Sequence, residues 1–198
     1  MAASNASTEK SGVNKAKRSH WSVRELVTLA IFSALGMALS FIQIPIFPPA
    51  PYLQYDPSGI VTLTVALMYG PAAGIMVQLV SWIPKLIMSP LGSLLTFVAM
   101  IGAVLVVGCI YKKFHNLKGA IVAIVVGSVV FTALAIAMNF VITPIYTPGV
   151  TVEAVASMVV PILLPFNIIK CTINGVVTGL LYKPVSNLVK MRDSRAHA

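Results

Sequence analysis

Long apolar runs alternate with short polar or proline-rich breaks along most of the chain. A helix rises about 1.5 Å per residue, so about 20 apolar residues cross a hydrocarbon core of about 30 Å. The six predicted segments are Arg24–Gln43, Ser58–Tyr69, Ala72–Leu86, Leu91–Tyr111, Gly119–Ile142 and Pro161–Tyr182. The second and third are short and read as a helical hairpin. The pattern predicts an all-α membrane protein, a six-transmembrane-helix bundle.

The connection between the first two segments, residues 44–57, contains five prolines. Proline removes a backbone donor and clashes with the preceding turn, so this connection cannot be a continuous helix. It is nevertheless apolar, and it carries Phe47, Tyr52 and Tyr55. This composition favours a lid over a binding cavity, and a loop lying in the headgroup region is the alternative. A later connection is expected to hold a short surface helix over Thr151–Met158.

Composition supports the membrane assignment and a single domain. The 198 residues are 58% hydrophobic and 10% charged, whereas soluble domains carry about 25% charged residues. The net charge is +9, but all 14 lysines and arginines except Lys85 and Lys170 flank the apolar segments. This is the pattern of cytoplasmic loops, not of a nucleic-acid-binding surface.

The charge pattern predicts that both termini are cytoplasmic and that the proline-rich loop faces outward. Residues 1–20 are polar and lack an apolar signal region, so we expect a disordered cytoplasmic tail there. Residues 21–185 form the predicted membrane domain, and residues 186–198 form a basic cytoplasmic tail. The last segment is long enough to cross a bilayer and contains Lys170.

Lys170 shares one helical stripe with Asn167 and Asn174, at spacing i, i+3 and i+7. Asn139 is expected at a similar depth. An ionisable group inside a bilayer is expensive and commonly marks a substrate path. An internal hydrogen-bond network between helices is the alternative. It explains a lysine less well, because no predicted span contains a carboxylate at the depth of Lys170 and a partner such as Asp56 would have to come from a loop.

Other polar positions have simpler interpretations. Asp56 is also a candidate cap for the second segment. Trp82 and Lys85 lie near an expected interface, where Trp anchors and Lys extends its amine to the headgroups.

No nucleotide-binding loop, metal-ligand cluster or catalytic constellation is recognisable, so we do not expect an enzyme.

A stripe of small residues, Ala30, Ala34 and Ala38, recurs every four positions in the first segment. Such a stripe lets another helix approach closely, either in a partner protein or inside the bundle.

Several runs of residues resemble the S-components of energy-coupling factor (ECF) vitamin transporters, most closely the riboflavin-specific one. The resemblance covers about residues 26–182. The runs are Ala30/Ala34/Ala38, Pro45 to Asp56, Tyr69 to Gly74, Asn139 to Tyr146, and Leu164 to Lys170. In one departure, this chain has Pro57-Ser58-Gly59-Ile60 where the family commonly has Ser-Asp-Ile-Pro, so a flavin relative or another vitamin stays open.

The resemblance implies a binding subunit that captures riboflavin as a transported ligand, without a resident cofactor, and that lies in the bacterial plasma membrane. It also implies docking of the alanine stripe on a transmembrane coupling subunit that joins two ATPases. The implied substrate-binding residues are Phe47, Tyr52, Leu53, Tyr55, Asp56, Asn139, Asn167, Lys170 and Asn174. The alternatives are an S-component for pantothenate, a pyrimidine or pyridoxine, a scaffold subunit that binds no vitamin, and a self-sufficient carrier.

Overall fold

A computed structural model of the protein describes residues 21–48, 53–147 and 149–195. Within these residues the regular elements are helices, and one isolated antiparallel bridge joins Ile44 and Tyr55. The helices are α1 (Val23–Ser40), α2 (Ser58–Tyr69), α3 (Pro71–Met88), α4 (Pro90–Lys113), α5 (Leu117–Tyr146), α6 (Val152–Met158) and α7 (Leu164–Arg195). The predicted tail over residues 1–20 and the last three residues of the predicted basic tail lie outside the described residues.

Local sequence signals explain where α1 and α3 begin. Ser22 caps α1: its hydroxyl accepts the N–H of Glu25, and the Glu25 carboxylate accepts the N–H of Ser22. Between α2 and α3, Gly70 has a φ of 90°, a conformation that glycine adopts without steric penalty. Pro71 then occupies the first turn of α3, where its missing N–H is harmless. The predicted bounds of α2 are confirmed.

Three predicted boundaries near the end of the chain are wrong. The sixth segment was expected to end at Tyr182, but α7 continues to Arg195. The fifth segment was expected to end before Pro144, but α5 continues through this proline to Tyr146. Proline has a helical φ, so close to a helix end it removes only one hydrogen bond. The sixth segment was expected to begin at Pro161, but a π-helical turn, Val159–Leu163, joins α6 directly to α7. The predicted short helix is confirmed as α6, which Thr151 caps.

The short helix α2 lies at the centre of the bundle. Nine of its 12 residues are buried, and it contacts α1, α3, α4 and α7. The main apolar core joins α2 to α4 and α5 through side chains such as Leu67, Val104 and Phe131. The backbones of α3 and α4 also approach each other closely. A Cβ on Gly108 of α4 would lie 2.7 Å from the nitrogen of Pro71 at the start of α3. The short helix α2 is therefore enclosed by longer helices.

The outer surface of the bundle is apolar. Ile31, Val129 and Leu180 are 57%, 64% and 70% exposed, respectively. Exposed apolar side chains over this much surface would cause aggregation in water but match a lipid environment. Five helical stretches in the described residues are long and apolar enough to cross a bilayer, and α2 is a shorter apolar helix. The chain is a multi-pass membrane protein.

The connections divide between the two ends of the bundle. The loop between α1 and α2, the α3–α4 junction and the α5–α6 connection meet around one cavity, to which Gln43, Ser89 and Thr147 contribute. We call this the loop end. The start of α1, the α2–α3 turn and the α4–α5 turn lie together at the opposite end, where Trp21, Gly70 and His115 share a second cavity.

Candidate functional site

A cavity of about 300 Å³ opens at the loop end, at the lower limit of the 300–1,000 Å³ common for small-molecule sites. Its apolar wall includes Leu53, Leu95, Phe131 and Phe166. The charged and polar lining residues are Gln43, Gln54, Asp56, Lys85, Ser89, Ser93, Thr96, Asn139, Thr143, Thr147, Asn167 and Lys170. An apolar pocket with a few placed polar groups is typical of sites that bind a small organic molecule.

The loop between α1 and α2 is tied at its base. Ile44 and Tyr55 each donate a backbone N–H to the carbonyl of the other, both at 2.8 Å. The buried Tyr55 hydroxyl donates a 3.0 Å hydrogen bond to Asn174 Oδ1 on α7. Burial, followed by the charge of Asp56, raises the pKa of Tyr55 to about 12. The phenol therefore stays protonated as a donor at physiological pH and fastens the loop to α7.

Asp56, directly after Tyr55, lies between two lysines from different helices. Its Oδ1 is 2.6 Å from Nζ of Lys85 on α3, and its Oδ2 is 3.7 Å from Nζ of Lys170 on α7. The Ser58 hydroxyl donates to Oδ1, and the Ser58 N–H donates to the same oxygen at 3.2 Å. All three charged residues are less than 9% exposed. The carboxylate therefore joins the loop, the start of α2, α3 and α7.

The surroundings of Asp56 keep its carboxyl group ionised. Burial alone would raise its pKa, because a low dielectric disfavours charge. The charges of Lys170 and Lys85, with the hydrogen bonds from Lys85 and Ser58, outweigh burial and hold the pKa below its ordinary value. Two cations and one anion leave one unit of positive charge at the cavity wall. A ligand with carbonyl oxygens or other electron-rich atoms would match that charge.

Lys170 makes no hydrogen bond within the described part of the chain. Its Nζ lies 5.6 Å from the ring centre of Phe131 and 6.0 Å from that of Phe166. Both rings are within the range of a cation–π attraction, which stabilises the charge without using its N–H donors. The Asp56 oxygen at 3.7 Å is too distant for a hydrogen bond. The ammonium group thus borders the cavity with its donors available.

Two asparagines complete the polar wall. Asn139 on α5 donates to the Ala135 carbonyl at 2.7 Å and accepts a hydrogen bond from the Thr143 hydroxyl at 3.0 Å. Asn167, one turn before Lys170, donates to the Leu163 carbonyl at 2.7 Å. These bonds to groups one turn away along the chain orient the two amides. Each amide keeps further hydrogen-bonding capacity, since a carboxamide offers two donors and an acceptor with two lone pairs.

The structure brings together five of the nine candidate substrate-binding residues. Leu53, Asp56, Asn139, Asn167 and Lys170 line the cavity. Three others are described but do not line it: Tyr55 and Asn174 bond to each other, and Phe47 is half-buried in the loop. The last candidate, Tyr52, lies outside the described residues. The carboxylate that lies near Lys170, that of Asp56, comes from a loop, as a partner would have to.

The interpretation of Lys85 as an interfacial, extended side chain is wrong. It is 8% exposed, lines the cavity, pairs with Asp56 and donates to Ser58 Oγ at 3.1 Å. Trp82 stacks on Phe97 with ring centres 4.3 Å apart, so it also packs within the protein. The signal that identified Lys170, a cation in an otherwise apolar helix, applied equally to Lys85. Its place near a helix end favoured the wrong interpretation.

The alanine stripe lies on the outer surface of α1. Ala30, Ala34 and Ala38 are exposed, whereas Leu29, Ser33, Gly36 and Ser40 face the bundle. Gly36 packs so closely on α3 that a Cβ there would overlap the Ser81 hydroxyl. The small side chains of the stripe are therefore not used for packing within this chain.

A larger groove of about 890 Å³ runs along the outside of the bundle between α5 and α7. Its lining contains no charged residue and is mostly aliphatic, for example Ile121, Val125 and Val176. Its hydroxyl groups on Ser128, Thr132 and Thr172 donate to carbonyls of their own helices. The groove has the chemistry of a lipid-facing surface, so the smaller polar cavity is the candidate site.

Comparison with known proteins finds relatives over most of the chain. Residues 24–182 match the family described as "ECF transporter, substrate-specific component". The chain is 31% identical over 175 residues to the riboflavin transporter RibU of Staphylococcus aureus (strain TCH60), covering 84% of this chain and 93% of the relative. It is also 31% identical over 185 residues to the riboflavin transporter FmnP of Bacillus subtilis (strain 168), covering 87% and 97%.

A solved structure shows the same fold. This structure is described as "Structure and mechanism of the S component of a bacterial ECF transporter". Its TM-score is 0.71 at 32% sequence identity, and the match covers 84% of this chain and 98% of the solved one. The similarity therefore extends over nearly the whole of that solved chain.

Proposed function

Because the chain belongs to the family of ECF-transporter substrate-specific components, we propose that it captures riboflavin in the cavity at the loop end. The observation that carries the proposal is the cavity wall itself. Lys170, Asn139 and Asn167 place an ammonium group and two amides beside the rings of Phe131 and Phe166. The likeness to two riboflavin transporters supports this choice among vitamins.

The chemistry of a flavin suits this wall. The isoalloxazine ring is flat and largely apolar, and its carbonyl oxygens and ring nitrogens accept hydrogen bonds along one edge. Lys170 offers N–H donors that no described residue uses, and the two amides offer donors and acceptors. Leu53 and the phenylalanines would cover the ring faces. We propose that Asp56, held by Lys85 and Ser58, borders the ligand beside Lys170.

The membrane arrangement completes the proposal. We propose six crossings, with the short α2 enclosed by its neighbours, with both termini in the cytoplasm of a bacterium and the loop end outside its plasma membrane. Basic residues support this orientation, because Lys112, Lys113 and Lys118 flank the α4–α5 turn at the opposite end. The loop between α1 and α2 would then act as the outer lid. Residues 21–185 form the membrane domain between two cytoplasmic tails.

Energy for transport would come from partner proteins. The exposed stripe Ala30, Ala34 and Ala38 permits a helix of a coupling subunit to approach α1 closely. That subunit would link the chain to two ATPases. Small side chains give close contact without deep interlocking, so such an interface can form and separate.

Titration of the purified protein with riboflavin tests the assignment. We expect binding to quench the fluorescence of the flavin and to saturate at about one ligand per chain, because such pockets are few in one protein. An affinity no tighter than millimolar would reject riboflavin as the substrate. A thermal-shift panel with pantothenate, a pyrimidine and pyridoxine would then identify another vitamin. A protein that no vitamin stabilises would be a scaffold subunit.

A further inference from the structure

Three charged side chains from three different elements meet at one wall of the cavity. Asp56 comes from the loop, Lys85 from α3 and Lys170 from α7, and all three are buried. The site requires one ammonium group to be free for a ligand, yet it contains a carboxylate that could occupy that group. The distances show how the carboxylate is kept from doing so.

The Asp56 carboxylate is hydrogen-bonded on one side only. Lys85 Nζ lies 2.6 Å from Oδ1, the distance of a strong charge-assisted hydrogen bond. Lys85 also donates to Ser58 Oγ at 3.1 Å, and Ser58 in turn donates to the same carboxylate oxygen. On the other side, Oδ2 is 3.7 Å from Lys170 Nζ, beyond hydrogen-bonding distance. Lys85 and Ser58 together hold the carboxylate towards α2 and α3.

We infer that Lys85 is a positioning residue of the substrate site, which holds Asp56 away from Lys170 so that the Lys170 ammonium group can bind the ligand. The inference rests on the proposed function, since it assigns Lys170 to a ligand. Without Lys85, Asp56 is the nearest buried anion to Lys170, and a side-chain rotation would close the remaining gap of about 1 Å to a charge-assisted hydrogen bond. Lys170 would then be occupied by the protein itself.

The decisive comparison is between Lys85→Met and the double variant Asp56→Asn/Lys85→Met. Methionine keeps most of the length and apolar volume of lysine but removes its charge. We expect Lys85→Met to weaken riboflavin binding about 10- to 100-fold, the range for one lost hydrogen bond to a charged group. The double variant removes the competing carboxylate and is expected to recover at least about tenfold of that loss. Lys183→Met, an exposed lysine on α7, is the matched control.

A purely structural role for Lys85 gives a different result. The double variant would then bind riboflavin no better than Lys85→Met, and that outcome overturns the inference. Wild-type affinity in Lys85→Met overturns it as well. If Lys85→Met does not fold, Lys85→Gln replaces it, because glutamine is similar in size and lacks the charge. Lys85→Gln must then show the same loss of riboflavin affinity. Adding Asp56→Asn to it must restore the affinity to the same extent.

A second readout needs no ligand and separates failure of this inference from failure of the proposed function. Thermal unfolding of Lys170→Met is measured in the wild-type and Lys85→Met backgrounds. We expect the loss of melting temperature to be about twice as large in the Lys85→Met background, because Asp56 then bonds to Lys170. Equal losses overturn the inference. If the larger loss occurs but riboflavin does not bind, the ion-pair arrangement stands and the substrate assignment fails.

Discussion

Tyr55 and Asn174 form a buried hydrogen bond of 3.0 Å from the phenol to the amide oxygen, which joins the proline-rich loop to the middle of α7. Neither residue lines the cavity, but each lies close in the chain to a residue that does. Tyr55 directly precedes Asp56, and Asn174 lies one turn after Lys170. The bond therefore fixes the position of two site residues through their neighbours in the chain.

Tyr55→Phe removes this bond and leaves the Asn174 amide oxygen unpaired. We expect the free energy of unfolding to fall by about 1–2 kcal/mol, the usual effect of losing one buried hydrogen bond. Release of bound riboflavin should also become faster, because the loop is held less firmly. Thermal unfolding and stopped-flow dissociation measure the two effects. Asn174→Leu in the Tyr55→Phe background should add little, and an additive loss would mean that the bond is not formed.

The depressed pKa of Asp56 predicts how stability depends on pH. A carboxyl group with a lower pKa in the folded state contributes stability that is complete above its unfolded pKa and disappears as pH falls through the folded one. We expect a nearly constant melting temperature down to about pH 5 and a decline below about pH 4. Asp56→Asn should lower the plateau and reduce the decline.

The exposed Glu153 provides the control for this pH profile. Glu153→Gln should leave both the plateau and the acid decline close to those of the wild-type protein. An acid decline of the same size in Asp56→Asn as in the wild type would show that another group causes it. Melting temperatures in detergent, measured at constant ionic strength, supply the comparison.

Removal of single polar groups from the cavity wall should weaken riboflavin binding without unfolding the protein. We expect Lys170→Ala to lose about 10- to 100-fold in affinity and Asn139→Ala about 5- to 30-fold, because a hydrogen bond from a charged donor is stronger than one from an amide. Asn187→Ala, an exposed position further along α7, is the control. Wild-type affinity in both site variants would place the flavin elsewhere.

The alanine stripe should matter for assembly and not for binding. Ala34→Trp places a large side chain at the centre of the exposed stripe, where it blocks close helix approach. We expect unchanged riboflavin affinity in the purified protein but loss of co-purification with the coupling subunit and loss of uptake in cells. Val129→Trp, at a 64% exposed position on α5, is the control. Normal uptake by Ala34→Trp would move the docking surface away from α1.

Much of the fold follows from the chain alone, because membrane helices obey local rules. A bilayer demands apolar runs of a defined length, and internal hydrogen bonding demands that those runs be helical. The bounds of α2 and the short helix α6 follow from such rules. The helix ends at Pro144 and Pro161 do not, since a helix continues through proline where surrounding packing offsets one missing bond.

The residues of the candidate site were also only partly predictable from the sequence. Sequence alone pointed to Lys170 and Asn167, because a polar group in an apolar helix is conspicuous without any knowledge of its neighbours. Only the tertiary structure showed that Lys85 belongs to the same wall, since it contacts Asp56 and Ser58 from a helix that is distant in the chain. Charge pairing between buried groups depends on distances of a few ångströms between elements. Those distances are set by how the helices pack, and residue spacing along the chain does not contain them.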